Sequence, residues 1–123
     1  MSIVNTLSAI FIVLIILLIV YTYSGSNKIS SEEAKKMIKK GTIKYVIDVR
    51  SNMEWEAGHY KGALHIPVQE ITEEKLNALN ITKNKGILVY CNTGQRARYA
   101  ADKIKGYGYK KVYYIAGTYK SLE

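Results

Sequence analysis

Residues 3–23 carry no charged side chain, and that constrains the chain more than any other feature. Ala9-Ile10-Phe11-Ile12-Val13-Leu14-Ile15-Ile16-Leu17-Leu18-Ile19-Val20 is continuously apolar; Ile3, Val4 and Leu7 extend it upstream, and Tyr21 and Tyr23 follow it. As a helix, residues 3–23 measure about 30 Å, the thickness of a bilayer's hydrocarbon core. So many β-branched residues make a poor helix in water, but in lipid every backbone group must bond within its own segment. The tyrosines then fall at headgroup level. The rest of the chain is too small to surround such a segment as a core helix. A cleaved signal peptide is the competing reading, with Thr22-Tyr23-Ser24 near a possible cleavage point. Against it, no Lys or Arg precedes the run, and the run is long for a signal's core. The expectation is a transmembrane anchor over 1–23, a flexible Ser-Gly-Ser-Asn linker over 24–27 and a folded domain over 28–123. The bases nearest the span, Lys28, Lys35, Lys36, Lys39 and Lys40, all follow it, which places the domain in the cytosol.

All 18 bases and 10 acids lie after residue 27, for a net charge of +8. The bases are scattered lysines; the only arginines are Arg50, Arg96 and Arg98. Without a nucleic-acid motif, such a balance speaks of nonspecific attraction, so no nucleic-acid partner is expected and an anionic membrane surface fits better. A single cysteine excludes an intrachain disulfide. One cysteine and two histidines without ligand spacing make no zinc site, and neither metal nor cofactor is expected.

Within 28–123, helical and strand signals alternate. Ser30-Ser31-Glu32-Glu33 resembles a capping box, opening a helix through Ala34, Met37 and Ile38 that Gly41 stops. A strand follows over 43–49. Ser51-Asn52-Met53-Glu54 is a second capping box whose short helix ends at Gly58. A strand over 63–66 stops at Pro67, and Thr72 caps a helix through Leu76 and Leu79 that ends near Asn80. Gly86-Ile87-Leu88-Val89-Tyr90 reads as a buried strand, 97–105 as a helix closed by Gly106, and 112–115 as a last strand ended by Gly117. This order predicts an α/β fold: a parallel sheet flanked by helices on both faces, preceded by one transmembrane helix. In such sheets the site lies at the carboxyl ends of the strands, where Asp48 and Cys91 fall.

Cys91 opens the loop Cys91-Asn92-Thr93-Gly94-Gln95-Arg96 between the buried strand and the helix. A helix start aims backbone N–H groups and a positive dipole end at an anion. Gly94 permits the backbone angles that let successive N–H groups converge. Such settings favour the thiolate form of a cysteine. A lone cysteine after a strand is otherwise a small buried hydrophobe; the Gly and Arg that follow point to chemistry instead.

Four ordered blocks resemble the rhodanese family of single-domain sulfurtransferases over roughly 28–118. They are Val46-Ile47-Asp48-Val49-Arg50, then Glu54-Trp55 with Gly58-His59-Tyr60-Lys61-Gly62-Ala63-Leu64-His65-Ile66-Pro67. Leu88-Val89-Tyr90-Cys91-Asn92-Thr93-Gly94-Gln95-Arg96-Ala97 follows, and then Ala100-Ala101 with Gly106-Tyr107. The resemblance implies that Cys91 takes the outer sulfur of a donor such as thiosulfate, carries it as a persulfide and passes it to a thiol or cyanide-like acceptor. The N–H groups of Asn92, Thr93, Gly94, Gln95 and Arg96 would hold that anion. Arg96 is placed to attract an anionic donor, with Arg98 the weaker choice.

Loop length separates the enzymatic alternatives. Phosphatases of similar fold have one more residue between cysteine and arginine, so the six residues from Cys91 to Arg96 resemble the sulfur-handling loop, and phosphatase or arsenate reductase chemistry is disfavoured. The rival from another class is a membrane-tethered protein-binding module, which an intact cysteine loop argues against. Asp48 and Arg50 are expected to steady the loop's surroundings, because a carboxylate beside the sulfur would oppose its ionisation. His59 and His65 read as hydrogen-bonded turn residues and Trp55 as a core residue. One departure stands out: where rhodaneses commonly carry a Gly-Gly pair and a nearby tryptophan, this chain has Ala116-Gly117-Thr118-Tyr119. That predicts a truncated or missing last helix and a more open rim.

Overall fold

The order of elements follows from local stop and start signals. The computed structural model describes residues 2–23 and 27–123. In chain order these form α1 (Ile3–Tyr23), β1 (Asn27–Lys28), α2 (Ser31–Lys40), β2 (Ile43–Asp48), α3 (Asn52–Ala57), β3 (Leu64–His65), α4 (Glu73–Ala78), β4 (Gly86–Tyr90), α5 (Gln95–Gly106) and β5 (Val112–Tyr114). Single 3-10 turns occupy Val68–Glu70 and Tyr119–Leu122.

The caps explain the helix starts. The Ser30 hydroxyl accepts from the Glu33 N–H, and the Thr72 hydroxyl accepts from the Lys75 N–H. At α3 the box closes in both directions: Ser51 Oγ accepts from Glu54 N at 3.2 Å, and Glu54 Oε1 accepts from Ser51 N at 3.0 Å. Such caps are worth about 1 kcal/mol each, a sizeable share for helices this short.

The five strands are parallel in the order β1-β5-β4-β2-β3, with β4 central. Side chains alternate across the sheet. Ile47, Val49, Ile87, Val89 and Cys91 share one face with Ala97, Ala100, Ala101 and Ile104 of α5 and Leu76 of α4. Val46, Leu88 and Tyr90 share the other with Ala34 of α2 and Leu122 of the C-terminal turn. Every residue of β4 is buried, as a strand covered on both faces must be. The register sets Asp48 beside both Tyr90 and His65, so the carboxyl ends of β2, β3 and β4 meet at one edge.

Three expectations need correction. Residues 24–26 of the expected linker lie outside the described residues, while Asn27, assigned to that linker, pairs with Tyr113 in β1. This two-residue polar edge strand has no apolar alternation to announce it. Gly106 does not close α5 but is its last residue; the left-handed turn comes at Gly108, φ 99°. Trp55 is not in the core, because α3 buries none of its residues. Its ring lies half-buried, stacked between His59 (centroids 3.4 Å apart) and His65 (4.6 Å).

α1 spans the whole apolar stretch, and Ile3–Tyr21 is long and apolar enough to cross a membrane by length and composition. None of that window is buried against the rest of the chain.

Candidate functional site

The site grows from the carboxyl end of β4. Tyr90 ends the strand on the α2 face, so the next residue, Cys91, turns its side chain to the α5 face, where it is fully buried. Gly94 then takes φ 97°, ψ −16° and caps α5 without a side chain of its own. A Cβ there would lie 2.9 Å from Ala116 Cα, so both the left-handed backbone and the close approach to the chain after β5 require glycine.

The sulfur takes over the capping role that a glycine cannot play. Cys91 Sγ accepts from the N–H of Gly94 at 3.1 Å and of Ala97 at 3.3 Å. Ala97 is the third residue of α5, whose N–H an N-cap side chain ordinarily satisfies. Two N–H groups therefore converge on the sulfur at the N-terminal end of α5. Gln95 and Arg96 are the first two residues of α5, where backbone N–H groups have no partner within the helix.

Of the loop residues singled out from the sequence, Asn92 and Arg96 are half-buried while Thr93 and Gln95 are exposed. Ala97 was not among them, although the arithmetic of helix capping points to the third helical N–H. The larger omission is Glu54. Its carboxylate accepts from Arg96 Nη1 at 2.7 Å and Nη2 at 3.0 Å, a bidentate pair, and from Asn92 Nδ2 as well. The Arg96 guanidinium first, and then the Ser51 N–H, hold the Glu54 carboxyl far below the usual carboxylate range. Arg96 thus pairs with a carboxylate, which raises its own affinity for the proton, and its guanidinium also interacts with Cys91. The capping box was legible in the sequence, but its link to a loop 38–42 residues away was not.

Asp48 and Arg50 form a second pair, on the sheet face opposite Cys91. Asp48 Oδ2 accepts from Arg50 Nη2 at 2.8 Å and from the Tyr90 hydroxyl at 2.6 Å. Arg50 Nη2 also donates to the Gly58 carbonyl at 2.6 Å, and the Tyr60 N–H donates to Tyr90 Oη. Burial and then the Asp48 carboxylate push the Tyr90 hydroxyl well above its ordinary pKa. The cluster thus ties the turn after α3 to the residue immediately before Cys91. His59 Nδ1 meets the Trp55 carbonyl at 2.9 Å and His65 Nε2 the Arg50 carbonyl at 2.8 Å; both are hydrogen-bonded as expected, but His65 belongs to strand β3 and not to a turn.

The rim is less open than the missing tryptophan implies. Tyr119 lays its ring over the Arg50 guanidinium at 5.1 Å and abuts Gly58, where φ is 146° and any Cβ would collide with its hydroxyl. Tyr119 also walls a cleft of about 380 Å³ with Arg50, Glu54, Asn92 and Lys120. Arg98 lies elsewhere, in a smaller hollow beside Thr93 and Gly94.

Fold and site together define a class: a parallel α/β domain with one cysteine at the turn from a central strand into a helix, six residues from Cys91 to Arg96 inclusive. The profile of the Rhodanese-like domain matches residues 30–123, and the chain belongs to that family. It is 36% identical over 89 residues to the putative sulfur carrier protein YrkF of Bacillus subtilis, covering 72% of this chain and 46% of that protein. It is 30% identical over 93 residues to a tRNA uridine(34) hydroxylase of Buchnera aphidicola, with 72% and 29% covered. The chain thus spans less than half the length of these curated relatives. Among solved structures, the human single-domain sulfurtransferase TSTD1 superposes with a TM-score of 0.67 at 27% identity, covering 79% of this chain and 95% of that one.

Proposed function

We propose that the chain is a membrane-anchored sulfurtransferase that moves sulfane sulfur through a persulfide on Cys91. The observation that carries this reading is the sulfur's position, capped by the N–H groups of Gly94 and Ala97 at the end of a buried parallel strand. A relative named as a sulfur carrier and a neighbouring single-domain sulfurtransferase support the same chemistry. With thiosulfate as donor, the Cys91 thiolate attacks the outer sulfur; the S–S bond to the central sulfur breaks, and sulfite leaves with the electron pair. The persulfide anion lies against the loop, where the Gln95 and Arg96 N–H groups offer preorganised donors. A thiol or cyanide-like acceptor then attacks the outer sulfur and regenerates the thiolate. Asp48 and Arg50 hold the platform, while Asn92, Thr93, Gly94, Gln95 and Arg96 form the substrate-binding loop. α1 supports a single-pass anchor, and the lysines that follow it support a cytosolic domain.

The test uses the full chain in detergent. Treated with thiosulfate, it is expected to gain the mass of one sulfur on Cys91 and to form thiocyanate from cyanide, and Cys91→Ser is expected to do neither. Absence of the added sulfur in the wild type would end the proposal. Aryl phosphate turnover lost in Cys91→Ser would replace it with phosphatase chemistry. Protease protection of the domain in sealed vesicles reports its side of the membrane.

A further inference from the structure

Arg50, which lines the cleft with Glu54 and Asn92, is paired with Asp48, and Arg96, at the other end of the Cys91 loop, is paired with Glu54. The first pair belongs to the fold. The second belongs to the loop, and it cancels the one loop cation that would favour a doubly charged donor over a singly charged one. Glu54 is held rigidly in that place. Its backbone N–H is fixed by Ser51 Oγ, its Oε1 by the Ser51 N–H and Arg96, and its Oε2 by Arg96 and Asn92. The Ser51 N–H, the Arg96 guanidinium and the Asn92 amide all donate to its carboxylate, which stays ionised and lines the cleft that Asn92 of the loop also borders.

We infer that Glu54 is a positioning residue that sets donor selectivity by charge, disfavouring dianionic sulfane-sulfur donors relative to monoanionic ones. The inference rests on the sulfurtransferase reading and sharpens it to a donor class. Two probes differ in charge, and the phenyl ring that also separates them is common to the wild-type and variant measurements. Thiosulfate brings two negative charges and leaves as sulfite; benzenethiosulfonate brings one and leaves as benzenesulfinate. In each case one S–S bond forms at Cys91, one breaks, and the total charge is the same before and after transfer. An extra charge roughly 3–4 Å from a donor, screened as in bulk water, corresponds to about a five- to tenfold discrimination.

The experiment compares kcat/KM for the two donors in the full chain in detergent, with cyanide as acceptor. Glu54→Gln keeps a hydrogen-bonding side chain but removes the charge. The ratio of thiosulfate to benzenethiosulfonate is expected to rise about five- to tenfold, and the rise is expected to shrink as ionic strength increases. Glu54→Asp, which keeps the charge, is expected to stay near the wild-type ratio. Glu56→Gln, an exposed carboxylate on the same helix, is expected to change it less than twofold. Should Glu54→Gln prove too unstable to assay, Asn92→Asp carries the test with opposite sign, adding a negative charge to the same cluster and lowering the ratio. An equal loss toward both donors would reduce Glu54 to a structural part, and an equal shift in Glu56→Gln would assign the effect to the general field. Failure of either donor to load Cys91 ends the sulfurtransferase reading itself, whereas loading with an unchanged ratio ends only the role of Glu54.

Discussion

Two arginine–carboxylate pairs flank the strand end that carries Cys91, and they differ in how much water they see. Asp48 and Arg50 have side chains 0% and 6% exposed; Glu54 and Arg96 are 28% and 37% exposed. Coulomb attraction is stronger in the drier pair, but so is the cost of stripping water from each charge. The buried pair recovers that cost only through further bonds, and here it has them: the Tyr90 hydroxyl on Asp48, the Gly58 carbonyl on Arg50, and the Arg50 N–H on Asp48 Oδ1 at 2.8 Å. Such a cluster is costly to break from either side. The half-exposed pair contributes little to stability and is free to be tuned. One pair therefore fixes where the loop sits, and the other sets what the loop meets.

The sharpest way to break this contrast is to orphan the buried arginine. Asp48→Ala is expected to lose about 3–5 kcal/mol in urea unfolding, because Arg50 then keeps its charge without a partner. Tyr90→Phe removes one hydroxyl bond to the same carboxylate and is expected to cost about 1.5–3 kcal/mol, with slower sulfur loading since Cys91 is the next residue. Ser51→Ala removes one arm of the α3 cap and is expected to cost about 1 kcal/mol, together with a looser Glu54 and a partial move of donor selectivity toward thiosulfate.

The smallest stability effect is expected at the exposed pair: Glu54→Gln is expected to change unfolding free energy by less than about 1 kcal/mol. Its sign against pH is defined. The Glu54 carboxyl ionises at lower pH in the folded chain than in the unfolded one. Its contribution is therefore complete above the unfolded carboxyl's pKa of about 4.3 and is lost as pH falls below it. Unfolding curves of the wild type and Glu54→Gln are thus expected to converge on acidification and separate at neutral pH. Convergence on the alkaline side instead would assign the pair a different role.

Most helix starts were legible because a cap is a local event: Ser30, Ser51 and Thr72 each act on an N–H three residues ahead. β4 was legible for the same reason, as five residues buried on both faces leave an unbroken apolar run. β1 was not, since two exposed polar residues become a strand only when the edge of β5 offers them partners. Trp55 reads as a core residue from sequence, but its stacking on His59 and His65 depends on β3 lying beside α3, which no window of sequence displays. The lack of a Gly-Gly pair and a nearby tryptophan predicts a more open rim, yet the Tyr119 ring lies against Arg50, a contact between residues far apart in sequence.

The sequence by itself determined the alternation of helices and strands, the placement of Cys91 at a strand-to-helix turn and the length of its loop. These follow from capping, side-chain periodicity and the backbone limits of glycine, all of which act over a few residues. Tertiary structure alone decided that Glu54 meets Arg96 and Asn92, and that Asp48, Arg50 and Tyr90 close into one buried cluster. Those pairings depend on strand order and register, which bring side chains up to 42 residues apart within hydrogen-bond reach. Such distances are settled by packing the whole sheet, and local propensity carries no information about them.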